Sequence, residues 1–131
     1  MYLIDTNIFL EALLDQEKAD VVRSFFQFVD LDDMYISDLA LHSIGIILFK
    51  LKKTKLFISF LKDMIENGMT ILSLNTNELA ELDKVVAKFN LDFDDSYQYL
   101  VAKVHHLQLI SFDSDFNKTD INKKEPQAII N

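Results

Sequence analysis

The sequence predicts an α/β fold, with a mostly parallel sheet covered by helices on both faces. Three observations carry this reading. Short apolar runs alternate along the chain with longer segments of helical period, which is the pattern of strands joined by helical crossovers. Helix caps and stops fall at the boundaries between the two kinds of segment, at Ser37, Gly68 and Asn75. The chain has 131 residues, 50% apolar and 11% aromatic, which suits one domain, spanning 1–131, with a substantial core.

In order along the chain, "MYLI" is a first short strand that stops at Asp5, and "TNIFLEALL" takes helical spacing with Phe9, Ala12 and Leu13 on one face. "EKADVVRSFFQFV" keeps the helical period through Val22, Phe25, Phe26 and Val29. A polar loop and a second strand follow in "LDDMYIS", and Ser37 is positioned to cap "DLALHSIGIILFKLKK". The next helix, "KLFISFLKDMIEN", stops at Gly68, a natural residue after a helix end. "MTILSL" reads as the third strand, and Asn75 with Glu78 forms a capping box for a helix over "ELAELDKVVAKF". "LDFDDSYQYLVAK", residues 91–103, makes another helix and "LQLISF" the fourth strand. From about residue 118 the chain is a polar tail holding the only proline; its "AII" reads either as an added edge strand or as a frayed end.

Composition excludes several chemistries. With no cysteine there is no disulfide, thiolate nucleophile or Cys-based metal site, and three histidines leave little room for a His-rich centre. Any metal is therefore held by oxygens. The net charge is −8, and Arg23 is the single arginine, which disfavours generic adhesion to nucleic acid or anionic membrane. No apolar stretch approaches the roughly 18 residues of a membrane span, so a cytoplasmic protein without membrane contact is expected.

In a parallel sheet, the carboxyl ends of strands and the amino ends of the following helices share one edge, where ligands bind. Asp5 ends the first strand, Ser37 ends the second, Asp95 opens a helix, and Asp113 and Asp115 follow the fourth strand. All are expected on that edge. Clustered carboxylates raise one another's pKa and need a cation, protonation or ample water. Mg²⁺ and Mn²⁺ are the usual partners of such a cluster, commonly together with substrate phosphates. Their chemistry, activating water for attack on phosphorus, is phosphodiester hydrolysis.

The segments "YLIDTNIFLEAL", "MYISDLALHSIGIIL", "LDFDDSYQYLVAK" and "LQLISFDSDF" resemble, in order and spacing, the PIN-domain family, most closely its VapC-like toxin ribonucleases. The resemblance implies a three-layer α/β/α sandwich and metal-dependent RNA cleavage, with RNA as substrate and an antitoxin protein as partner. It makes Asp5, Asp95 and Asp113 the catalytic acids and metal ligands and Asp115 an auxiliary ligand. Thr6, Asn7 and Ser111 match the polar residues that support them. Ser43 departs from the pattern: six positions after Ser37 the family carries a glutamate facing the site. A serine hydroxyl is a much weaker Mg²⁺ ligand than a carboxylate. His42 and Asp38 lie nearby but not in the same place, His42 being about 100° round the helix.

Each residue also has a plainer reading. Asp38, Asp94 and Asp95 sit where aspartates cap helices and favour the macrodipole, and Asp113 and Asp115 suit a turn. Asp5 could be only a cap, and His42 only a packed side chain. Glu11 and Asp15 read as a solvated face. Lys50, Lys52, Lys53 and Lys55 could steer RNA, but lie where cations favour a helix carboxyl end. "LALHSIGIILF" is apolar on more faces than one sheet needs, which points to a homodimer or to cover by "LFISFL". The leading expectation is a metal-dependent endoribonuclease of a toxin and antitoxin pair. The alternatives are a degenerate, non-catalytic RNA- or protein-binding module and, last, a receiver-like phosphoryl-transfer domain.

Overall fold

The computed structural model describes residues 1–131. Its sheet has five strands, β1 (Tyr2–Ile4), β2 (Met34–Ser37), β3 (Thr70–Leu72), β4 (Gln108–Ile110) and β5 (Lys123–Lys124), in the order β3-β2-β1-β4-β5. Every pairing is parallel, with Leu3 opposite Tyr35 and Ile4 opposite Ile110. The helices are α1 (Thr6–Leu13), α2 (Ala19–Phe28), α3 (Asp38–Lys50), α4 (Thr54–Phe60), α5 (Thr76–Leu79), α6 (Leu82–Phe89), α7 (Phe93–Val104) and α8 (Pro126–Ile130).

Successive strand residues point to opposite faces, and the two faces carry separate cores. Ile4, Ile36 and Ile110 join Ile8 and Phe9 of α1, Val22 and Phe25 of α2, and Ala40, Ile44 and Leu48 of α3. Leu3 and Leu109, one residue back, join Leu82 and Val85 of α6, Leu100 and Val101 of α7, and Phe116. The result is the expected α/β/α sandwich. No helix is long and apolar enough to cross a membrane.

Local signals set most boundaries as expected. Ser37 Oγ accepts from Ala40 N at 3.0 Å, and both bonds of the Asn75–Glu78 capping box are present at 2.9 Å. Gly68 takes φ +143°, and a Cβ there would lie 2.7 Å from Asp32 Oδ1. On α1 the buried positions are Ile8 and Phe9, with Ala12 and Leu13 half-buried.

Three expectations are corrected. The α4 segment runs on through a π-helical turn, Leu61–Ile65, before it stops. "ELAELDKVVAKF" is not one helix: the short α5 ends at Leu79 and α6 begins at Leu82. The terminal "AII" is neither an edge strand nor a frayed end but part of α8, which packs on α2 with Ile129 and Ile130 against the core. Pro126 explains the difference, because its fixed φ and missing N–H suit a first helical turn. The edge strand is instead Lys123–Lys124, and Lys124 O accepts from Ser111 N at 3.0 Å.

Candidate active site

The carboxyl ends of β1 and β4 lie side by side, with Asp5 N donating to Ile110 O at 3.0 Å. Asp5 leaves the sheet with extended backbone and caps α1, its Oδ1 accepting from Thr6 N at 2.8 Å. Oδ1 also accepts from Gln98 Nε2 at 3.0 Å, while Oδ2 accepts from Ser111 Oγ at 2.7 Å. Ser111 in turn accepts from Asp113 N at 2.9 Å and from Asn7 Nδ2 at 3.4 Å, so its one donor and both lone pairs are committed. Asn7 Oδ1 closes the ring by accepting from Phe112 N at 3.3 Å. Asn7 and Ser111 thus tie the first turn of α1 to the segment that carries Asp113. Burial raises the pKa of Asp5; hydrogen bonds from Ser111, Gln98 and Thr6 oppose that shift, and the Asp113 charge adds to it.

The start of α7 brings the second acid. Asp92, not Asp95, is the cap: Asp92 Oδ1 accepts from Asp95 N at 2.9 Å. The capping reading of Asp95 is therefore replaced, and its half-buried carboxylate faces Asp113 and Asp115, which follow β4. Asp113 Oδ1 accepts from Asp115 N at 2.9 Å at the head of a 3₁₀ turn, Ser114–Lys118. Asp95, Asp113 and Asp115 each offer a carboxylate oxygen, and these oxygens lie within 4.8 Å of one another. Asp95 is pushed up to about 7, first by burial and then by the charges of Asp113, Asp92, Asp5 and Asp115.

An open cleft of about 320 Å³ adjoins the cluster, lined by Asp5, Thr6, Asn7, Leu10, Asp94, Asp95 and Asp113 together with Ser43 and Ile47 of α3, while Asp115 stands outside its lining. No basic side chain lines it. Ser43 therefore stands on the cleft wall, where the resemblance calls for a glutamate. The suggested substitutes do not reach the cleft. Asp38 Oδ1 accepts from Tyr97 Oη at 2.7 Å and from Leu39 N at 2.8 Å, and exposed His42 lies with Ile46, Phe49 and Phe57 on the α3–α4 surface. Ser37 is fully buried and acts as the α3 cap. Lys50 ends α3, and Lys52, Lys53 and Lys55 follow it, a helix length of about 20 Å from the edge where α3 begins. Lys84 and Lys103 are engaged elsewhere, with Glu81 at 2.9 Å and Asp120 at 3.0 Å.

Gln98 is the site residue that sequence reading missed. Its signal was present: a polar side chain inside the buried stretch Ser96–Ala102, three positions after Asp95 and so on the same helix face. The donor set is otherwise made of carboxylate and hydroxyl oxygens at close range with no internal counter-charge. That set fits a hard divalent cation such as Mg²⁺ or Mn²⁺ and suits neither a soft metal nor an anion.

Comparison with known proteins gives a consistent fold. The family model described as PIN domain matches residues 2–122. No curated protein matches the chain by sequence. The VapC20 toxin of Mycobacterium tuberculosis, described as cleaving the sarcin-ricin loop, superposes with a TM-score of 0.81 at 10% identity, covering 96% of this chain and 100% of that one. A toxin-antitoxin complex from Klebsiella pneumoniae gives 0.77 at 16% identity, covering 96% and 98%. VapBC2 from Rickettsia felis, bound to a fragment of its promoter DNA, gives 0.74 at 17% identity, covering 95% and 97%.

Proposed function

The chain belongs to the PIN-domain family, and from that premise we propose that it is a metal-dependent endoribonuclease, the toxin of a toxin-antitoxin pair, acting on RNA in the cytoplasm. The observation that carries this reading is the approach of Asp95, Asp113 and Asp115 to within 4.8 Å of one another, beside a cleft that Asp5, Asp95 and Asp113 line and no basic residue enters. Such a cluster is costly unless a cation completes it. Asp5, Asp95 and Asp113 would hold Mg²⁺ or Mn²⁺, with Asp115 as a further carboxylate. When bound, the ion supplies neutralisation of the acids, polarisation of a phosphodiester oxygen and acidification of the attacking water.

The chain's own residues do the rest. Thr6, Gln98 and Ser111 hold the Asp5 carboxylate from three directions. Asn7 and Ser111 keep the Asp113 segment against α1. Ser43 offers a hydroxyl that can orient water but not a fourth charge. Asp115 brings to the cluster the extra carboxylate that Ser43 does not.

A second reading, a PIN domain that binds RNA or protein without cutting, is favoured by Ser43 alone. Incubating the protein with a mixed RNA pool separates the two. Cleavage with Mn²⁺ that disappears with EDTA and in Asp95→Asn supports the nuclease; Mn²⁺ binding without cleavage supports the module. The partner assignments rest on other features. Solved structures of similar fold are complexes with antitoxins, which supports an antitoxin partner. On α3, Gly45 is covered by the Phe57 ring of α4, yet Ile46 and Phe49 remain more than half exposed, which supports a homodimer through that face. Sedimentation of the purified chain tests it.

A further inference from the structure

The geometry points to Gln98 as a positioning residue that selects which oxygen of Asp5 faces the cation. The inference rests on the metal-dependent reading above and deepens it. Gln98 is 3% exposed, and its Nε2 donates to Asp5 Oδ1 at 3.0 Å. Its Oε1 is buried without any partner. Ser96 Oγ, also buried, has no partner either, but Gln98 alone of the two reaches Asp5, and a glutamine kept at the cost of an unsatisfied buried oxygen calls for a role beyond packing. Turning the amide over would set Oε1 against Asp5 Oδ1, which already accepts from Thr6 N, placing two acceptors in contact, so the orientation seen is the one that bonds.

Counting lone pairs shows what the contact does. Asp5 Oδ1 accepts from Thr6 N and from Gln98 Nε2, which occupies both of its acceptor sites. Oδ2 accepts from Ser111 Oγ alone and retains one. Gln98 therefore removes Oδ1 as a ligand and leaves Asp5 to bind through Oδ2 only. Small octahedral ions such as Mg²⁺ and Mn²⁺ are served by one oxygen per carboxylate, whereas Ca²⁺ takes carboxylates in bidentate fashion with ease. Gln98 is thus a selector between ions as well as a support.

Gln98→Met keeps the length and apolar volume of the side chain while removing the donor. Mn²⁺ affinity, read by quenching of the free-ion paramagnetic resonance signal, is expected to fall about tenfold, the size usual for loss of a partner to a metal ligand. Ca²⁺ affinity, read by calorimetry, is expected to hold or rise. Crystal structures of the ion-free wild type and variant are expected to show the Asp5 carboxylate rotated in the variant. Should Gln98→Met fail to fold, Gln98→Asn withdraws the amide by one methylene and is expected to shift both affinities in the same directions. Equal losses for both ions, unchanged affinities, or an Asp5 carboxylate that keeps its orientation would each overturn the inference. If the wild type binds no Mn²⁺, the metal-dependent reading falls, while the carboxylate orientation in the ion-free crystals still decides whether Gln98 positions Asp5.

Discussion

Helix α7 handles carboxylates in opposite ways at its two ends. At its start, burial first and then the charges of Asp113, Asp92, Asp5 and Asp115, with no base lining the cleft, raise the Asp95 pKa to about 7. Further along, Asp120 accepts from the Tyr99 hydroxyl and from Lys103 Nζ, and those bonds hold its carboxyl below the usual carboxylate range. Burial first, and then Asp120, raises the Tyr99 phenol in turn. The helix dipole favours acids at the start and Lys103 at the end, but at about 0.3–1 kcal/mol it cannot offset several crowded charges. One end is complete within the chain. The other gathers carboxylates with no counter-charge of its own, which is the place the proposed cation would take.

The largest effect should come from breaking the incomplete end. Asp95→Asn or Asp113→Asn is expected to lower RNA cleavage by at least about a hundredfold. The same change should raise the melting temperature of the ion-free protein by roughly 3–5 °C, because solvent screening of these half-exposed groups holds the relief to about 1 kcal/mol. Cleavage assays and thermal melts with and without Mn²⁺ check both; a variant that loses stability without the ion would mean that the acid is a structural part. Asp120→Asn, at the other end, should leave cleavage within about twofold.

Next in size is an added charge on the cleft wall. Ser43→Glu should destabilise the ion-free protein and, in millimolar Mn²⁺, tighten ion binding by about tenfold and raise cleavage. A loss of stability that Mn²⁺ does not rescue would show that the glutamate is buried without a partner.

Acidity should act on the two ends with opposite sign. Asp95 moves from an ordinary 3.8 to about 7, so between these values the folded chain keeps a proton that the unfolded chain has released. The stability it contributes is present below the lower value and lost as pH rises through the upper one. Asp120 is shifted down, so its contribution is present above the ordinary carboxylate value and lost as pH falls through the folded one. Ion-free denaturation curves from about pH 3 to 8 should therefore flatten on the neutral side in Asp95→Asn and on the acid side in Asp120→Asn. The smallest effect belongs to Tyr99→Phe, expected to cost about 1 kcal/mol equally with and without Mn²⁺.

The sequence by itself determined the alternation of strands and helices as far as β4 and the acids that follow β1 and β4. Those features are local: apolar period, the Ser37 cap and the Asn75–Glu78 box act over a few residues, and in a parallel sheet strand ends and helix starts share an edge whatever the strand order. Tertiary structure alone decided the rest. Asp5 and Gln98 are 93 residues apart, and Asp5 and Ser111 are 106, so their contacts depend on β1 pairing with β4 and α7 lying over that pair. Asp92 rather than Asp95 became the cap because one side chain captures the N–H three residues on, a choice that adjacent aspartates leave open until the helix entry is built. "AII" became helical through Pro126 and its docking on α2. Short-range pattern encodes which element forms. Contacts across about a hundred residues follow from how the elements pack, because periodicity carries no information about which faces meet.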